Sequence, residues 1–219
     1  MPASPPSPSV AAALFDLDGV LALSAPAHHA AYRQLLAPDG VDFAMDDFDR
    51  VCLGRPRHAA LRVLFPDADE ARIAWLMDEK ERLTRRHLET HGLEPVPGAL
   101  DFVNALRARG LATAVVTASR TPGLLLSAIG ASGLFDVVVG GGDVSRPKPA
   151  PDGYLMAAEL LCVSPERCLV VEDSPIGVQA GKAAGARVLA ITTTETVEAL
   201  AGADRVIGAF VEVEPGWVL

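Results

Sequence analysis

Two aspartates separated by one residue, Asp16 and Asp18, stand in the segment FDLDGV (15–20), at the end of the apolar run VAAALF (10–15). Carboxylates can bind a cation, attack an electrophilic centre as covalent nucleophiles, or exchange a proton with a reacting group. Taken alone, such a pair more often forms a turn or caps a helix. Its interpretation therefore depends on which other residues the fold brings to the same place.

The second half of the chain alternates apolar runs with helix-like segments. We predict strands at 10–15, 112–116, 137–139, 168–171 and 187–190, and helices at 99–109, 122–129, about 151–161 and 178–184. Such alternation is typical of a parallel sheet with helices on both faces. The predicted fold class is therefore α/β, with a doubly wound, Rossmann-like core.

One long segment, 25–91, interrupts this alternation directly after the first strand. It is polar and helix-like, with short breaks and no obvious strand, so we predict an inserted helical cap domain. The core would then comprise residues 10–24 and 92–219. Residues 1–9 (MPASPPSPS) are rich in Pro and Ser, and we expect a disordered tail there.

The composition narrows the class of protein. Half of the 219 residues are hydrophobic and 21% are charged, as in ordinary globular domains, and the net charge of −9 argues against a nucleic-acid partner. No apolar stretch reaches the roughly 18–20 residues of a membrane span. We expect a cytoplasmic protein, a monomer or weak dimer, whose three cysteines (Cys52, Cys162 and Cys168) are buried and reduced.

Chemically capable residues follow several of the predicted strands. In parallel α/β sheets, ligands bind at the carboxyl ends of the strands. These ends carry the following residues: Asp16, Asp18, Thr117, Ala118, Ser119, Arg120, Lys148, Glu172 and Asp173. Four carboxylates at one edge would resist full ionisation unless a cation joined them, and oxygen ligands favour Mg²⁺.

This arrangement suggests phosphoryl transfer. Asp16 is placed to attack phosphorus, and Asp18, two residues further on, can exchange a proton with the leaving oxygen. Gly19 lets the chain turn away without a side chain in the site.

Four segments, FDLDGV, VVTASR, KPAPD and VVEDSPIGVQA, resemble the four motifs of the haloacid dehalogenase superfamily, in order and each behind a predicted strand. The resemblance implies that Asp16 is phosphorylated and that Asp18 is the general acid and base. It further implies that Thr117 and Lys148 hold the phosphate, with Ala118 beside them. Mg²⁺ would be bound by Asp16, Glu172, Asp173 and the main-chain carbonyl of Asp18.

The helical insertion resembles the cap of the β-phosphoglucomutase and sugar-phosphatase branch. In that branch Arg57 would grip a distal phosphate and His28 would contact the general acid, whereas without the resemblance Arg57 could be a solvated helix residue and His28 an ordinary surface histidine. Lys80 shares a helix face with apolar residues, so it either snorkels at the edge of that face or reaches the substrate. Ser119 and Arg120 would help to bind a second anionic group.

The resulting expectation is a Mg²⁺-dependent phosphatase that acts on a small sugar phosphate, or a related phosphomonoester, through an aspartyl-phosphate. A β-phosphoglucomutase-type mutase is the alternative, although Leu23, Ser24 and Pro26 depart from the pattern common in that branch. A phospho-aspartate receiver module is a remote alternative, because a cap of about 65 residues and a second aspartate have no place in one.

Overall fold

A computed structural model describes residues 9–52, 55, 57–213 and 215–218. Residues 1–8, on which most of the predicted tail lies, are outside the described residues. The core is a six-stranded parallel sheet in the order β3-β2-β1-β4-β5-β6. Its strands are β1 (Ala12–Phe15), β2 (Ala112–Val116), β3 (Val137–Val139), β4 (Cys168–Glu172), β5 (Arg187–Ile191) and β6 (Arg205–Ile207).

The sheet is covered by helices on both faces. The helices outside the 25–91 segment are α5 (Ala99–Arg107), α6 (Pro122–Ala128), α7 (Asp152–Leu160), α8 (Pro175–Ala183) and the short α9 (Pro215–Val218). Successive residues of β1 point to opposite faces, so Phe15 packs with residues of α5 and α6, whereas Leu14 packs with residues of α7 and α8. Both side chains are buried, and the predicted α/β, doubly wound fold is confirmed.

The described residues of the 25–91 segment form four α-helices: α1 (Ala25–Leu36), α2 (Met45–Val51), α3 (Arg57–Leu64) and α4 (Glu70–His91). They share a hydrophobic cluster of their own, which includes Tyr32, Phe48 and Leu61. The predicted apolar face of α4 is buried, because Leu76 and Leu83 lie on the side that packs against this cluster. Among the helices of the described residues, none combines the length and apolar character needed to cross a membrane.

The structure corrects several details of the prediction. β6 (RVI) was not predicted, because it contains only two consecutive apolar residues, whereas three consecutive valines mark the equally short β3. β4 extends through Glu172, and α8 begins at Pro175, so the polar residues between them form a tight turn. Cys162 is exposed, contrary to the prediction, whereas Cys52 and Cys168 are buried free thiols.

The strand order places one point of the sheet where a ligand is expected. From β1 the chain continues to β2 and β3 on one side, and β4, β5 and β6 lie on the other. The crevice at the carboxyl ends of β1 and β4 is therefore the switch point at which open α/β sheets bind their ligands.

Candidate active site

A lysine joins the carboxyl ends of three strands. Lys148 Nζ contacts the carboxylate of Asp16 and lies 2.6 Å from Oε1 of Glu172 and 3.2 Å from the carbonyl oxygen of Val116. These three residues stand at the ends of β1, β4 and β2. The ammonium group and both carboxylates are largely buried, so the contacts form away from bulk water.

Glu172 is fully buried, and protein donors already surround its carboxylate. Oε1 accepts from Lys148 and from the hydroxyl of Tyr154 (2.6 Å each). Oε2 accepts from the main-chain N–H of Asp173 (3.1 Å) and from the N–H and Oγ of Ser174 (3.4 and 3.1 Å). A Cβ at Gly177 would overlap this carboxyl group, so glycine is needed where α8 passes it.

Asp173 and the DGV turn are held together from the β5 side. Thr194 Oγ1 donates to Oδ2 of Asp173 (2.6 Å), and Thr193 Oγ1 donates to the carbonyl of Gly19 (2.5 Å). Gly19 has a φ of +77°, and a Cβ there would overlap the Asp173 carboxylate. A glycine is therefore required for two reasons, the backbone conformation and the close approach.

Negative charge is concentrated at this edge of the sheet. Burial raises the pKa of Asp16 to about 7; Lys148 works against this rise, while Glu172 and Asp18 add to it. Burial, with the charges of Glu172 and Asp16, also raises the pKa of Asp173 well above its ordinary value. Burial makes the charged forms of these carboxylates unfavourable. A further cation beside them would stabilise those charged forms.

The donor set fits a hard divalent cation, because the carboxylates of Asp16 and Asp173 and the hydroxyl of Thr194 beside Asp173 offer oxygen atoms. Within the described ranges, no three His, Cys, Asp or Glu side chains already surround one point. The fit therefore rests on the excess of acidic groups over the single lysine. Asp173 retains ligand capacity, whereas the oxygens of Glu172 are occupied by the donors described above.

Asp18 lies in different surroundings from Asp16. Its Oδ1 accepts a hydrogen bond from Ser24 Oγ (2.5 Å) and lies 3.1 Å from His28 Nε2. Lys80 Nζ lies 2.7 Å from Nδ1 of the same imidazole. When Lys80 is protonated it can only donate, so Nδ1 is then the acceptor and Nε2 carries the hydrogen that is donated to Asp18.

These contacts favour the charged form of Asp18. Burial, the largest single effect, raises the pKa of Asp18, but the hydrogen bonds from His28 and Ser24 and the charge of Lys80 outweigh it and hold the pKa well below its usual range. Burial and then Lys80 lower the pKa of His28. Lys80 is buried rather than snorkelling, and burial together with the charge of Arg57 lowers its pKa to about 7.

The residues after β2 divide between the two sides of the site. Thr117 is buried, and its Oγ1 accepts from the N–H of Ser119 (3.0 Å). Thr117, Ala118 and Lys148 border one cavity of about 80 Å³. Ser119 lines a separate small cleft below α4, whereas Arg120 is exposed.

The cleft that Ser119 lines also contains Arg57, a cap residue predicted to bind the substrate. Arg57 begins α3, and its Nη1 lies 2.9 Å from Oε2 of Glu81 on α4. The other oxygen of Glu81 accepts a hydrogen bond from Thr121, the residue before α6. His28 and Ser119 line the same cleft. Gly54 and Pro56, which precede Arg57 in the sequence, lie outside the described residues.

A buried cluster of acids and one lysine at the switch point of a parallel sheet is typical of an enzyme with a small-molecule substrate. The chain belongs to the haloacid dehalogenase-like hydrolases, whose family model matches residues 10–185. The predicted recognition of that superfamily is confirmed.

The chain is similar to known sugar-phosphate proteins over most of its length. It is 32% identical to hexitol phosphatase A of Escherichia coli over 201 residues, 91% of each chain. CbbY from Rhodobacter sphaeroides, solved with xylulose-(1,5)bisphosphate, matches with a TM-score of 0.83 and 28% identity over 93% of this chain and 96% of that one. A β-phosphoglucomutase from Clostridium difficile matches in fold, with a TM-score of 0.84 and 22% identity over 95% of each chain.

Several residues of the site were not predicted from the sequence. They are Ser24, Glu81, Thr121, Tyr154, Thr193 and Thr194. Ser24 stands at the N-terminus of α1, where a serine would ordinarily cap the helix, but its hydroxyl donates to Asp18 instead. The others are contributed by surrounding helices and loops. Glu81 and Thr121 stand directly beside the predicted site residues Lys80 and Arg120, respectively.

Replacing Lys80 by Met tests its buried ammonium group. The unfolded lysine has a pKa of 10.5 and the folded one a pKa of about 7. Between these values the unfolded chain binds more protons, so the stability of the unsubstituted protein rises with pH. Relative to Lys80→Met, its free energy of unfolding should increase by about 1–2 kcal/mol from about pH 7 to pH 9 in urea denaturation. A constant or falling difference would contradict this interpretation.

Proposed function

We propose that this enzyme is a Mg²⁺-dependent phosphatase that hydrolyses a small sugar phosphate, or a related phosphomonoester, through an aspartyl-phosphate on Asp16. The observation that carries the proposal is the separation of the two aspartates. Asp16 contacts Lys148, which suits a nucleophile facing a phosphoryl group, whereas Asp18 contacts Ser24 and His28, which suits proton exchange. The family and the relatives, among them hexitol phosphatase A, support the same chemistry.

In the first half of the reaction, Asp16 attacks phosphorus and the bond from phosphorus to the leaving alcohol breaks. Lys148 and Thr117 bind phosphoryl oxygens, and Asp18 gives its proton to the alcohol. In the second half, Asp18 takes a proton from water, the water oxygen bonds to phosphorus, and Asp16 is released with inorganic phosphate. Mg²⁺, held by Asp16, Asp173 and the main-chain carbonyl of Asp18, would offset the charge of the phosphoryl oxygens when bound.

The hydrogen bonds to Asp18 favour its charged form, which is the form that the second half requires. The first half requires the protonated form. His28 stands on α1, and we propose that residues 25–91 form a cap domain whose opening removes this hydrogen bond. Asp18 would then gain a proton more readily while the cap is open, and would act as a base once it has closed.

Mutase activity remains the alternative, because the two reactions differ only in the acceptor. If a sugar phosphate rather than water attacked the aspartyl-phosphate, the product would be a bisphosphate that the site must retain. We further propose a cytoplasmic enzyme, a monomer or weak dimer, with a small phosphorylated metabolite as its partner.

Replacing Asp16 by Asn removes the proposed nucleophile and keeps the size of the side chain. We expect no phosphoenzyme after rapid acid quenching with labelled substrate, and a loss of turnover to background, because an amide cannot form the aspartyl-phosphate. Asp101→Asn, on an exposed position of α5, is the matched control and should leave both measurements unchanged. Labelled phosphoenzyme in Asp16→Asn would reject the assignment.

Replacing Asp18 by Asn should affect substrates according to their leaving groups. Nitrophenolate needs little protonation, whereas a sugar alcohol needs a proton as its bond to phosphorus breaks. We expect single-turnover phosphoenzyme formation to slow by at least about tenfold more with a sugar phosphate than with p-nitrophenyl phosphate. Equal losses with both substrates would count against the acid role.

Removal of divalent cations should abolish turnover, and the two acids after β4 should differ in their effect on binding. Because Glu172 is surrounded by donors and Asp173 is not, Asp173→Asn should weaken Mg²⁺ binding by at least about tenfold in calorimetric titration. Glu172→Gln should weaken it less, but should lower the thermal stability, because Lys148 loses its buried partner. A larger loss of Mg²⁺ affinity in Glu172→Gln would restore Glu172 as the metal ligand.

A further inference from the structure

The cleft between α4 and the loop after β2 contains an ion pair that the reaction itself does not use. Arg57 and Glu81 are 2.9 Å apart, and their side chains are only 19% and 22% exposed. Thr121 donates its hydroxyl hydrogen to the second oxygen of Glu81. The pair therefore connects α3, α4 and the core across one narrow space.

Glu81 carries its charge in this position. Burial, the largest effect, raises the pKa of Glu81, but the hydrogen bond from Thr121 and the charge of Arg57 outweigh it, so the pKa lies below its ordinary value. The positive charge of Arg57 is thus balanced by a neighbour on the next helix. A partly buried pair of this kind is screened less by solvent than a surface pair.

Arg57 is the positive group that Glu81 contacts directly, and the other positive groups near the cleft, Lys80 and Arg85, lie in different surroundings. Lys80 donates to His28, and the pKa of His28 is lowered by burial and by Lys80, which favours the neutral imidazole. Arg85 also lines the cleft but is exposed. Ser119 contributes a hydroxyl group.

A second phosphate entering this space would meet the Glu81 carboxylate beside Arg57. It would have to break the pair and lie next to a like charge in a poorly solvated cleft, which is strongly unfavourable. A sugar or polyol hydroxyl meets no such obstacle, because it can donate to Glu81 and accept from Arg57 or Ser119. The cleft has a volume of only about 10 Å³, close to the room for one water molecule. A sugar hydroxyl therefore enters it while α4 and the loop after β2 are further apart.

We propose that Glu81 is a specificity-determining residue, which neutralises Arg57 and restricts the enzyme to monophosphates whose far end is uncharged and rich in hydroxyl groups. The inference rests on the proposed function, because it names the substrate class of the same site. It replaces the expectation that Arg57 grips a distal phosphate. It also disfavours the mutase reaction, whose bisphosphate product would have to remain bound.

The test compares matched pairs of ligands that differ only in a second phosphate, such as fructose 1-phosphate and fructose 1,6-bisphosphate, with equivalent hexitol pairs. Each is measured as a competitor of p-nitrophenyl phosphate hydrolysis, and by calorimetric binding to Asp16→Asn. The unsubstituted enzyme should bind the monophosphates more tightly. In Glu81→Gln the ratio of bisphosphate to monophosphate affinity should rise by about 10–100-fold, because the like charge is gone while the shape is kept.

Two controls separate this effect from general damage to the cap. Glu79→Gln removes an acid from the same helix that pairs with Arg82 instead, and its ratio should stay that of the unsubstituted enzyme. In the double variant Arg57→Met, Glu81→Gln, the gain for bisphosphates should disappear, because the gain requires the freed guanidinium. An unchanged ratio in Glu81→Gln would overturn the inference, as would a gain that persists without Arg57.

The outcomes also distinguish this inference from the proposed function. If the unsubstituted protein forms no phosphoenzyme and hydrolyses no phosphomonoester, the proposed function fails, whereas the binding ratios in Asp16→Asn can still shift as expected. If the enzyme is a phosphatase that prefers bisphosphates, the proposed function stands and the role of Glu81 is wrong.

Discussion

The excess of buried acids over a single lysine is the constraint on which this site depends. Asp16, Glu172 and Asp173 meet at the ends of β1 and β4, and Lys148 contacts the first two. Removing charged groups from water costs several kcal/mol per ion after relaxation, so each must be compensated by contacts.

Glu172 is compensated by five protein donors, which makes it a fixed anchor for Lys148. Asp16 and Asp173 are less fully compensated, and this difference supports the proposed roles of Asp173 in binding a cation and of Asp16 as the nucleophile.

The fold separates the two aspartates of FDLDGV, although one residue lies between them. Asp16 ends a strand and is surrounded by core residues, whereas Asp18 lies at the start of the chain's path into α1 and is contacted by Ser24 and His28. The environment favours a raised pKa at Asp16 and a lowered pKa at Asp18. Two identical side chains thus obtain different chemistry from their neighbours, as in other enzymes that run acid and base steps at neutral pH. Of these two aspartates, Asp18 is the one that contacts a helix of the 25–91 segment among the described residues, through His28, so the proposed cap movement would act on its protonation.

The sequence was informative where apolar runs predicted strands and a general rule on parallel sheets predicted the position of the ligand. Apolar runs of three to six residues marked five of the six strands. The rule that ligands bind at the carboxyl ends of such strands then predicted that Asp16, Asp18, Thr117, Lys148 and Glu172 lie at one edge of the sheet. The remaining contributors could not be found in this way. Tyr154 reaches Glu172 from a helix on the sheet face, and Thr194 reaches Asp173 from the loop after β5. Their positions follow from packing across the sheet, which single-sequence patterns do not encode. Resemblance predicted a distal-anion role for Arg57 because a motif records the arginine without its partner on another helix.

In the proposed mechanism, Lys80 and Glu81 connect substrate recognition with proton transfer. Adjacent residues on a helix point about 100° apart, so α4 can direct Lys80 to His28 and Glu81 to Arg57 and Thr121 at the same time. The first contact leads through the imidazole to Asp18, and the second reaches the core loop that follows β2. A rigid movement of α4 would make or break both together. Glu81, proposed to bind the far end of the substrate, and Lys80, which contacts the histidine beside Asp18, therefore stand on the same helix. A substrate that prevents Glu81 from meeting Thr121 would also displace Lys80 from His28, so a poor fit at the far end would reduce the chemical step as well as binding.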